Sequence, residues 1–477
     1  MKFSRWICMI LCAALLLGAV PGAAAAASDP SVSSGCHSVD AALPIGGSEK
    51  LADTAKAAIL YERTTGTLVY AYNPDTRIYP SSMVKLMTVL VALEQGDLEE
   101  TVTVTRSALE SMGIGVVSVN LQRGEEMTLR DLLYCVMVAS ANDASTVVAD
   151  HIGGSQEGFV ALMNEKAEQI GCTGTNFTNA HGLHDENCYT TARDTLRLLE
   201  YGLQNPEFKA MFETAQHTIP ATNKHDERVI HTTNYMMSKE TVKTKFDSRV
   251  TGGKTGSTNA AGRCLAITAQ VGDMELIGIV MGAKATYTDD GLSVTRFGSF
   301  EEMSELLDYV QDGFECRQLY YAGQVITQYA VADGRNNVVT GPAEAGYCVL
   351  PKDTAAQALS WQYAQTAQGL TAPVSKGQTI TAMEVWYGDI CLASTELSAM
   401  YDVEVYEPYV EPKGATDQKN EESHGDLLAL ILGVVLGIVV LIVLGMFLTR
   451  LLRIALIKAR IRKRRRNRRR NRNARME

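Results

Sequence analysis

The sequence Pro80-Ser81-Ser82-Met83-Val84-Lys85-Leu86-Met87-Thr88 opens an apolar segment that continues to Leu93. A proline followed by two serines is typical of a helix start, because proline fits the first turn and a serine side chain can cap it. The segment has almost no polar face, and such helices are normally surrounded by protein. We therefore expect a helix that begins near Ser82 and lies in the middle of a domain.

This predicted helix has a hydroxyl and an amine on its first turn. Positions three apart share a helix face, so the amine of Lys85 can reach the hydroxyl of Ser82. A serine is a poor nucleophile without an adjacent base, and a lysine whose charge is destabilised by burial can serve as that base. The free N–H groups of the helix start can stabilise an oxyanion. The alternative is a capping serine beside a lysine that extends to solvent.

Two further motifs combine small residues with potential hydrogen-bonding groups. Ser140-Ala141-Asn142 falls at a break between two predicted helices, where side chains can be directed outward. Lys254-Thr255-Gly256 opens a predicted strand and follows Gly252 and Gly253. Its lysine and threonine offer donors for a carboxylate, and glycine lets a ligand lie against the strand edge. Taken singly, these motifs are also explained by a helix end and by a turn before a surface strand.

The two ends of the chain have targeting features. Residues 1–27 combine Lys2 and Arg5 with an apolar run and a small-residue stretch, which is typical of a secretory signal peptide. Residues 28–52 read as a flexible leader. Residues 427–448 contain no charge and would form about 33 Å of helix, so we expect a transmembrane helix over 427–449. The tail 450–477 contains 14 lysines and arginines, which predicts a cytoplasmic tail and an extracellular body in a cell membrane.

The net charge of −10 conceals a strongly acidic body. Between the signal peptide and the tail, residues 28–449 carry 28 basic and 53 acidic side chains. A body this acidic argues against nucleic acid as a partner and favours a soluble ectodomain on a membrane anchor. The basic tail itself is expected to face anionic lipid.

Ten cysteines are present, two of them in the predicted signal peptide. The remaining eight lack the paired short spacings of a zinc site or of a small disulfide scaffold. We expect most of them to be free, and Cys172 and Cys188 are the pair expected to lie close together.

Hydrophobic patterning divides the body into parts. A hairpin over residues 55–72 precedes the Ser82 helix, and residues 100–170 are mostly helical. Strands are expected over 250–257, 263–269 and 275–281, followed by a helix over 301–309. Short alternating runs then predict a separate all-β domain. We expect a catalytic domain over 53–315, a β-rich domain over 316–410 and a linker over 411–426.

The order and spacing of the three motifs are more specific than any one of them. Ser140 follows Ser82 by 58 residues, and Lys254 follows Ser140 by 114. With Asn179-Ala180-His181-Gly182-Leu183 and Tyr189-Thr190-Thr191-Ala192-Arg193-Asp194, they make the chain resemble the low-molecular-mass penicillin-binding D-alanyl-D-alanine carboxypeptidases over about residues 50–410. Two departures are Ser81, where the family usually has alanine, and a true C-terminal span in place of an amphipathic helix.

The resemblance implies an α+β fold of the serine β-lactamase and transpeptidase type. That catalytic domain has an antiparallel sheet with helices on both faces and a helical subdomain. A small all-β domain and a single C-terminal transmembrane helix are expected to follow it.

The implied reaction is serine-type hydrolysis without a cofactor or metal. Lys85 removes the proton of Ser82, which attacks the penultimate D-Ala of a peptidoglycan stem peptide, and β-lactams acylate the same serine. N–H groups of Ser82 and Ser257 would hold the oxyanion. The implied catalytic residues are Ser82, Lys85, Ser140, Asn142 and Lys254. The implied substrate-binding residues are Lys254, Thr255, Gly256, Ser257 and Arg296.

Four alternatives remain open at this stage. A class A β-lactamase would need a deacylating glutamate, for which Glu186 is the nearest candidate. A zinc amidohydrolase could use His181, His184 and Asp185. A D,D-endopeptidase acting on cross-links would share the same site, and a non-enzymatic penicillin-binding sensor would bind without turnover.

Overall fold

The computed structural model describes residues 39–40, 43–51, 54–110, 116–239, 242–289, 294–364, 369–408 and 432–437. The chain divides into two compact units, Met1–Tyr406 and Glu407–Glu477. The predicted signal peptide, linker and basic tail lie outside the described residues, as does most of the predicted span. Within the described ranges, no helix is both long and apolar enough to cross a bilayer.

The elements of the first unit are numbered here in chain order. The strands are β1 Ala57–Glu62, β2 Thr67–Tyr72, β3 Thr101–Thr103, β4 Glu126–Thr128, β5 Gln216–Ile219, β6 Arg228–His231, β7 Val250–Thr258, β8 Gly262–Val271, β9 Met274–Ala283, β10 Thr286–Tyr287, β11 Val294–Arg296, β12 Phe314–Tyr320, β13 Thr327–Tyr329, β14 Val338–Pro342, β15 Gly346–Pro351, β16 Leu359–Tyr363, β17 Thr379–Tyr387 and β18 Ile390–Ala399. The helices are α1 Val84–Gln95, α2 Arg106–Glu110, α3 Leu129–Met137, α4 Asn142–Gly153, α5 Gln156–Gln169, α6 Ala192–Gly202, α7 Pro206–Phe212 and α8 Ser299–Gly313.

The central sheet is antiparallel, with strand order β2-β1-β9-β8-β7. Its strands are apolar on both faces because both faces are covered. Along β1, Ile59 enters a core cluster with α1 and α6, whereas Leu60 enters a second cluster with α8. This alternation follows from the two-residue period of a strand. The predicted hairpin and the expected helices on both faces are confirmed.

Helix α1 occupies the centre of the helical layer. Its residues from Val84 to Ala92 are all buried, and it packs against α3, α4, α5, α6 and α7. The predicted start differs in detail. Ser81–Met83 form a 3₁₀ turn before α1, and no side chain caps it. The expected serine cap is therefore wrong, and Ser82 lies in the turn with its hydroxyl available for other contacts.

Part of the predicted flexible leader is fixed to the sheet. Ile45 is buried and its N–H donates to the carbonyl of Leu68, while the N–H of Gly46 donates to Val69. The hydroxyl of Tyr309 on α8 in turn donates to the carbonyl of Gly46 at 2.5 Å. These contacts hold the segment around residue 45 against β2.

The C-terminal β region (residues 314–406) contains a second five-stranded antiparallel sheet, in the order β13-β14-β18-β17-β16, and the pair β12-β15. Its expected all-β character is confirmed. It shares a core with the central sheet, because Val349, Leu350 and Met383 belong to the same apolar cluster as Leu60 and Met303. The two regions are therefore packed together within one compact unit.

The cysteines agree in the main with expectation. Among the described cysteines, the free thiols are Cys135, Cys172, Cys188, Cys264, Cys316 and Cys348. Cys172 and Cys188 lie in the same core cluster and form no disulfide. Cys391, in contrast, is disulfide-bonded, which the sequence did not predict.

Candidate active site

A cavity of about 200 Å³ opens where the start of α1, the α3–α4 junction and the edge strand β7 meet. Ser82, Ser140 and Thr255 reach it from these three elements. The residues that line it are Ser82, Val117, Ser140, Thr233, Tyr235, Thr255, Gly256, Ser257, Arg263, Cys264, Phe297, Ser299 and Phe300. The three predicted motifs, distant in sequence, thus meet at one site.

Lys85 is fully buried behind this cavity and is surrounded by oxygen atoms. Its Nζ lies 3.2 Å from Ser82 Oγ, 2.6 Å from Asn142 Oδ1 and 2.5 Å from the carbonyl oxygen of His181. Burial lowers the pKa of Lys85 well below its usual value, the charge of Lys254 lowers it further, and Asp143 opposes the shift. A neutral amine has a lone pair, so Lys85 can accept the proton of Ser82.

The loop that contains Gly182 packs against the backbone of the turn that holds Ser82. Ser81 has a φ of 53° and Gly182 a φ of 81°. A Cβ at position 182 would lie 2.1 Å from the carbonyl oxygen of Ser81, so only glycine fits. Asn179 Oδ1 accepts from the Gly182 N–H at 2.6 Å. The Asn179–Leu183 motif therefore sets the turn whose His181 carbonyl contacts Lys85.

Ser140 and Lys254 form the second polar contact of the site. Lys254 Nζ donates to Ser140 Oγ at 2.7 Å and to the carbonyl of Thr255 at 3.2 Å. Ser140 has a φ of 59°, so the break between α3 and α4 directs its side chain into the cavity. Burial lowers the pKa of Lys254 from 10.5 to about 7. The amine of Lys254 can therefore gain or lose a proton near neutral pH.

Asp143 is a structural component that the sequence analysis did not identify. It is fully buried and its carboxylate accepts hydrogen bonds from the Ser118 hydroxyl and from the N–H groups of Val119 and Leu121. The Asn142 N–H also donates to the carbonyl of Val117, which lines the cavity. Asp143 thus fixes the segment that forms one wall of the site. Its position directly after the Ser-Ala-Asn motif was the sequence feature that could have identified it.

The glycines of β7 accommodate the protein's own packing. A Cβ at Gly253 would lie 2.3 Å from Asn234 Nδ2, and one at Gly256 would lie 3.0 Å from the carbonyl oxygen of Pro80. The expectation that they simply leave room for a ligand was incomplete. Gly256 allows β7 to approach the turn that holds Ser82.

Thr255 and Ser257 line the cavity as predicted, together with a residue that was missed. The hydroxyls of Thr255 and Thr233 lie 2.5 Å apart. Thr233 belongs to the segment just after β6, where the sequence offers no recognisable motif. This contact fixes the orientation of the Thr255 hydroxyl.

Arg296 does not line the cavity. Its Nη2 lies 3.9 Å from Glu305 Oε1 on α8, so its substrate-binding role stays a prediction. Arg263 lines the cavity instead. The signal for Arg263 was the turn between β7 and β8, which places it directly opposite Ser257.

The alternative chemistries gain no support from the described residues. Glu186, the candidate lactamase base, is exposed and does not line the cavity. Within the part of the chain that the structure describes, no group of three or more His, Cys, Asp or Glu side chains could hold a metal ion. The His181 Nδ1 accepts from the Leu183 N–H, and His184 packs edge-on against Tyr79. Burial and the charge of Lys85 lower the pKa of His181 to about 4.

Comparisons with known proteins agree with this geometry. The sequence profile of the D-alanyl-D-alanine carboxypeptidase family matches residues 47–285. That of the C-terminal domain of penicillin-binding protein 5 matches residues 314–405. This chain belongs to the D-alanyl-D-alanine carboxypeptidase family. The resemblance inferred from the motifs is confirmed.

Individual relatives match over most of their length. D-alanyl-D-alanine carboxypeptidase DacF of Bacillus subtilis is 30% identical over 74% of this chain and 87% of the relative. DacA of Haemophilus influenzae is 31% identical over 73% of this chain and 85% of the relative. The crystal structure of penicillin-binding protein 5 from Haemophilus influenzae superimposes with a TM-score of 0.59, at 30% identity, over 74% of this chain and 98% of that chain.

Proposed function

We propose that this chain is a serine-type D-Ala-D-Ala carboxypeptidase that removes the terminal D-Ala from peptidoglycan stem pentapeptides. The observation that supports this most directly is the 3.2 Å separation of Lys85 Nζ and Ser82 Oγ, with the amine buried and its pKa lowered. Membership of the family gives the substrate class.

Acylation begins when Lys85 takes the proton of Ser82 as Oγ attacks the carbonyl carbon of the penultimate D-Ala. The N–H groups of Ser82 and Ser257 stabilise the negative oxygen of the tetrahedral intermediate. As the C–N bond breaks, Ser140, which accepts from Lys254 at 2.7 Å, relays the proton held by Lys85 to the departing D-Ala nitrogen, so that Lys85 is neutral again. Asn142 holds Lys85 and positions the substrate amide.

In deacylation, neutral Lys85 takes a proton from a water molecule as the water oxygen attacks the ester carbonyl. It then gives that proton to Ser82 Oγ, 3.2 Å away, as the ester C–O bond breaks, which returns both residues to their starting state. A β-lactam acylates the same serine, because its strained amide mimics the D-Ala-D-Ala bond. Its leaving group stays attached to the acyl-enzyme, which makes β-lactams inhibitors. Lys254 and Thr255, with Gly256, Ser257 and Arg296 as further predicted contacts, bind the substrate.

The membrane assignment extends this proposal. Signal peptide 1–27, span 427–449 and basic tail 450–477 together make a single-pass protein of the cell membrane, with the catalytic region outside and the tail against cytoplasmic lipid. Deletion of residues 427–477 should therefore release a soluble, active ectodomain. A truncated protein that stays with the membrane fraction would contradict the anchor.

Turnover of a defined stem pentapeptide tests the function. We expect the wild-type protein to release one D-Ala and leave a tetrapeptide, with Ser82→Ala inactive, as followed by mass spectrometry. Penicillin labelling without D-Ala release would favour the sensor. Faster cleavage of a cross-linked dimer than of the pentapeptide would favour the endopeptidase.

A further inference from the structure

One wall of the cavity is formed by residues 117–121, termed here the wall segment, which belong to no helix or strand. Val117 lines the cavity, and its carbonyl accepts from the Asn142 N–H at 2.8 Å. The Asn142 side chain in turn lies 2.6 Å from Lys85 Nζ. The place of the wall segment therefore affects the shape of the cavity and also the residue that holds the catalytic base.

Within the wall segment, Val119 is held at both of its backbone polar groups. Its N–H donates to the carboxylate of Asp143 on α4 at 3.1 Å. Its carbonyl accepts from Nη1 of Arg228 on β6 at 3.0 Å. Backbone groups outside helices and sheets depend on such side-chain partners. Asp143 thus fixes the wall segment from one side, and Arg228 fixes it from the other.

Arg228 is itself anchored to a buried carboxylate. Its Nη2 donates to Glu125 Oε1 at 2.6 Å, and its side chain is 18% exposed. Glu125 is fully buried and also accepts from the Gln122 N–H and from the Thr222 hydroxyl. A guanidinium is planar and rigid, so it can hold two acceptors in a fixed relation. Arg228 therefore connects a fixed carboxylate to the carbonyl of the wall segment.

The β5–β6 hairpin that contains Arg228 is docked at further points. His225 Nε2 lies 2.9 Å from the carbonyl oxygen of Asn120, also in the wall segment. At the other strand, the His217 ring stacks on Tyr134 of α3 with centroids 3.8 Å apart. Thr233, two residues after β6, lines the cavity. The hairpin thus connects the helical subdomain with the cavity from outside the reacting groups.

We propose that Arg228 is a positioning residue for acylation, which it supports by holding the wall segment in its catalytic place. Arg228 does not line the cavity, so it acts through Val119 and not on the substrate. Without Arg228 the Val119 carbonyl loses this donor, and the wall segment can shift relative to Ser82. A misplacement of about 1 Å can cost up to about 100-fold in rate. The inference rests on the proposed function, whose first step is acylation of Ser82.

The test removes both charges of the buried pair, because loss of Arg228 alone would leave Glu125 without a counter-charge. Arg228→Met combined with Glu125→Gln loses the contact with Val119, whereas Glu125→Gln alone retains it. The second-order rate constant of acylation by benzylpenicillin is measured per folded molecule, well below the melting temperature of each variant. We expect it to be about 10-fold lower in the double variant than in Glu125→Gln.

Arg63→Met is the matched control for the loss of a half-buried arginine. The Arg63 side chain is 19% exposed, and its Nε lies 2.8 Å from Glu200 Oε1, with no contact to the cavity among the described residues. This variant should keep the wild-type rate constant. An equal loss in Arg63→Met would make the effect non-specific and overturn the proposal, as would an unchanged rate constant in the double variant.

A double-mutant cycle with Val117→Ala separates positioning from a merely structural role. If Arg228 acts through the wall segment, the combined loss should be clearly smaller than the product of the separate losses. Losses that simply multiply would show that Arg228 acts elsewhere. Wild-type protein that benzylpenicillin does not acylate would contradict the proposed function and this inference together. Acylated wild type with an unaffected double variant would contradict the inference alone.

Discussion

The described residues form two five-stranded antiparallel sheets, and the regions around these sheets differ in the number of polar and charged side chains that they bury. Among the described residues of the central sheet and the helices packed with it, eight ionisable side chains are buried: Glu62, Lys85, Glu125, Asp143, Arg193, Asp194, Lys254 and Glu302. In the described part of the C-terminal β region, the buried polar side chains are only Thr340 and Thr381. A similar strand arrangement therefore serves as a catalytic scaffold in one region and as ordinary packing in the other.

The buried charges themselves fall into two groups. Glu62 and Glu302 accept several hydrogen bonds, such as those from Thr65 and Thr54, and so fix backbone segments. Lys85 and Lys254 have neutral oxygens as hydrogen-bond partners and lose their charge more easily. A buried lysine of this kind costs stability and is retained for chemistry.

Loss of the nucleophile should have the largest effect. Ser82→Ala removes the attacking oxygen, so covalent labelling by a fluorescent penicillin should vanish. Ser81→Ala is the matched control, because the Ser81 hydroxyl is buried and has no hydrogen-bond partner among the residues that the structure describes. It should label normally. Labelling that persists in Ser82→Ala, or is lost only in Ser81→Ala, would assign the nucleophile elsewhere.

Replacement of the base Lys85 should lower the acylation rate and raise the thermal stability. Lys85→Met should slow acylation by about 10²- to 10⁴-fold, the usual contribution of a general base. Burial lowers the pKa of Lys85 in the folded protein, which means that the fold disfavours the charged amine relative to the unfolded chain. Methionine removes that cost, and the melting temperature should rise by about 2–4 °C.

A near-normal acylation rate in Lys85→Met would exclude this lysine as the base. A lower melting temperature with slow acylation would mean that the amine contributes more to packing than its lowered pKa suggests. Stopped-flow acylation and thermal unfolding measure the two effects on the same samples.

The pH dependence of the acylation rate should reflect the ionisation of the Lys254 amine. Its pKa of about 7 means that the amine loses its charge as the pH rises through neutrality. The rate with a carboxylate-bearing β-lactam should therefore decline over that range by up to about 10-fold, as one charge-assisted contact weakens. The same profile with the methyl ester of that compound should be flatter. Identical profiles for the two compounds would contradict a role for Lys254 in carboxylate binding.

A core substitution in the C-terminal β region should affect stability alone. Leu397 is fully buried in β18, and Leu397→Ala should lower the free energy of unfolding by about 2–5 kcal/mol. The acylation rate per folded molecule should not change. A slower rate at full occupancy of the folded state would show that this region influences the site through the shared core.

Local features of the sequence predicted much of the fold and part of the site. The contact of Ser82 with Lys85 follows from their spacing of three, and the hairpin of β1 and β2 follows from its turn. The contact of Ser140 with Lys254 spans 114 residues, so it was accessible only through the order of motifs.

Other features depend on tertiary structure that a single sequence does not encode locally. The serine cap was wrong because the turn at Ser81 adopts a left-handed φ against Gly182. Arg263 was missed because its position depends on strand register across the β7–β8 turn. Helix α7, strand β4 and the short pair β5-β6 were missed because short segments have weak periodicity.

The most direct test of the central claim is peptide mapping of the protein after reaction with benzylpenicillin. We expect one covalent adduct on the peptide that contains Ser82, at the side chain of that residue. An adduct on any other residue, or intact protein with no adduct despite correct folding, would contradict a Lys85-activated Ser82 as the centre of the site.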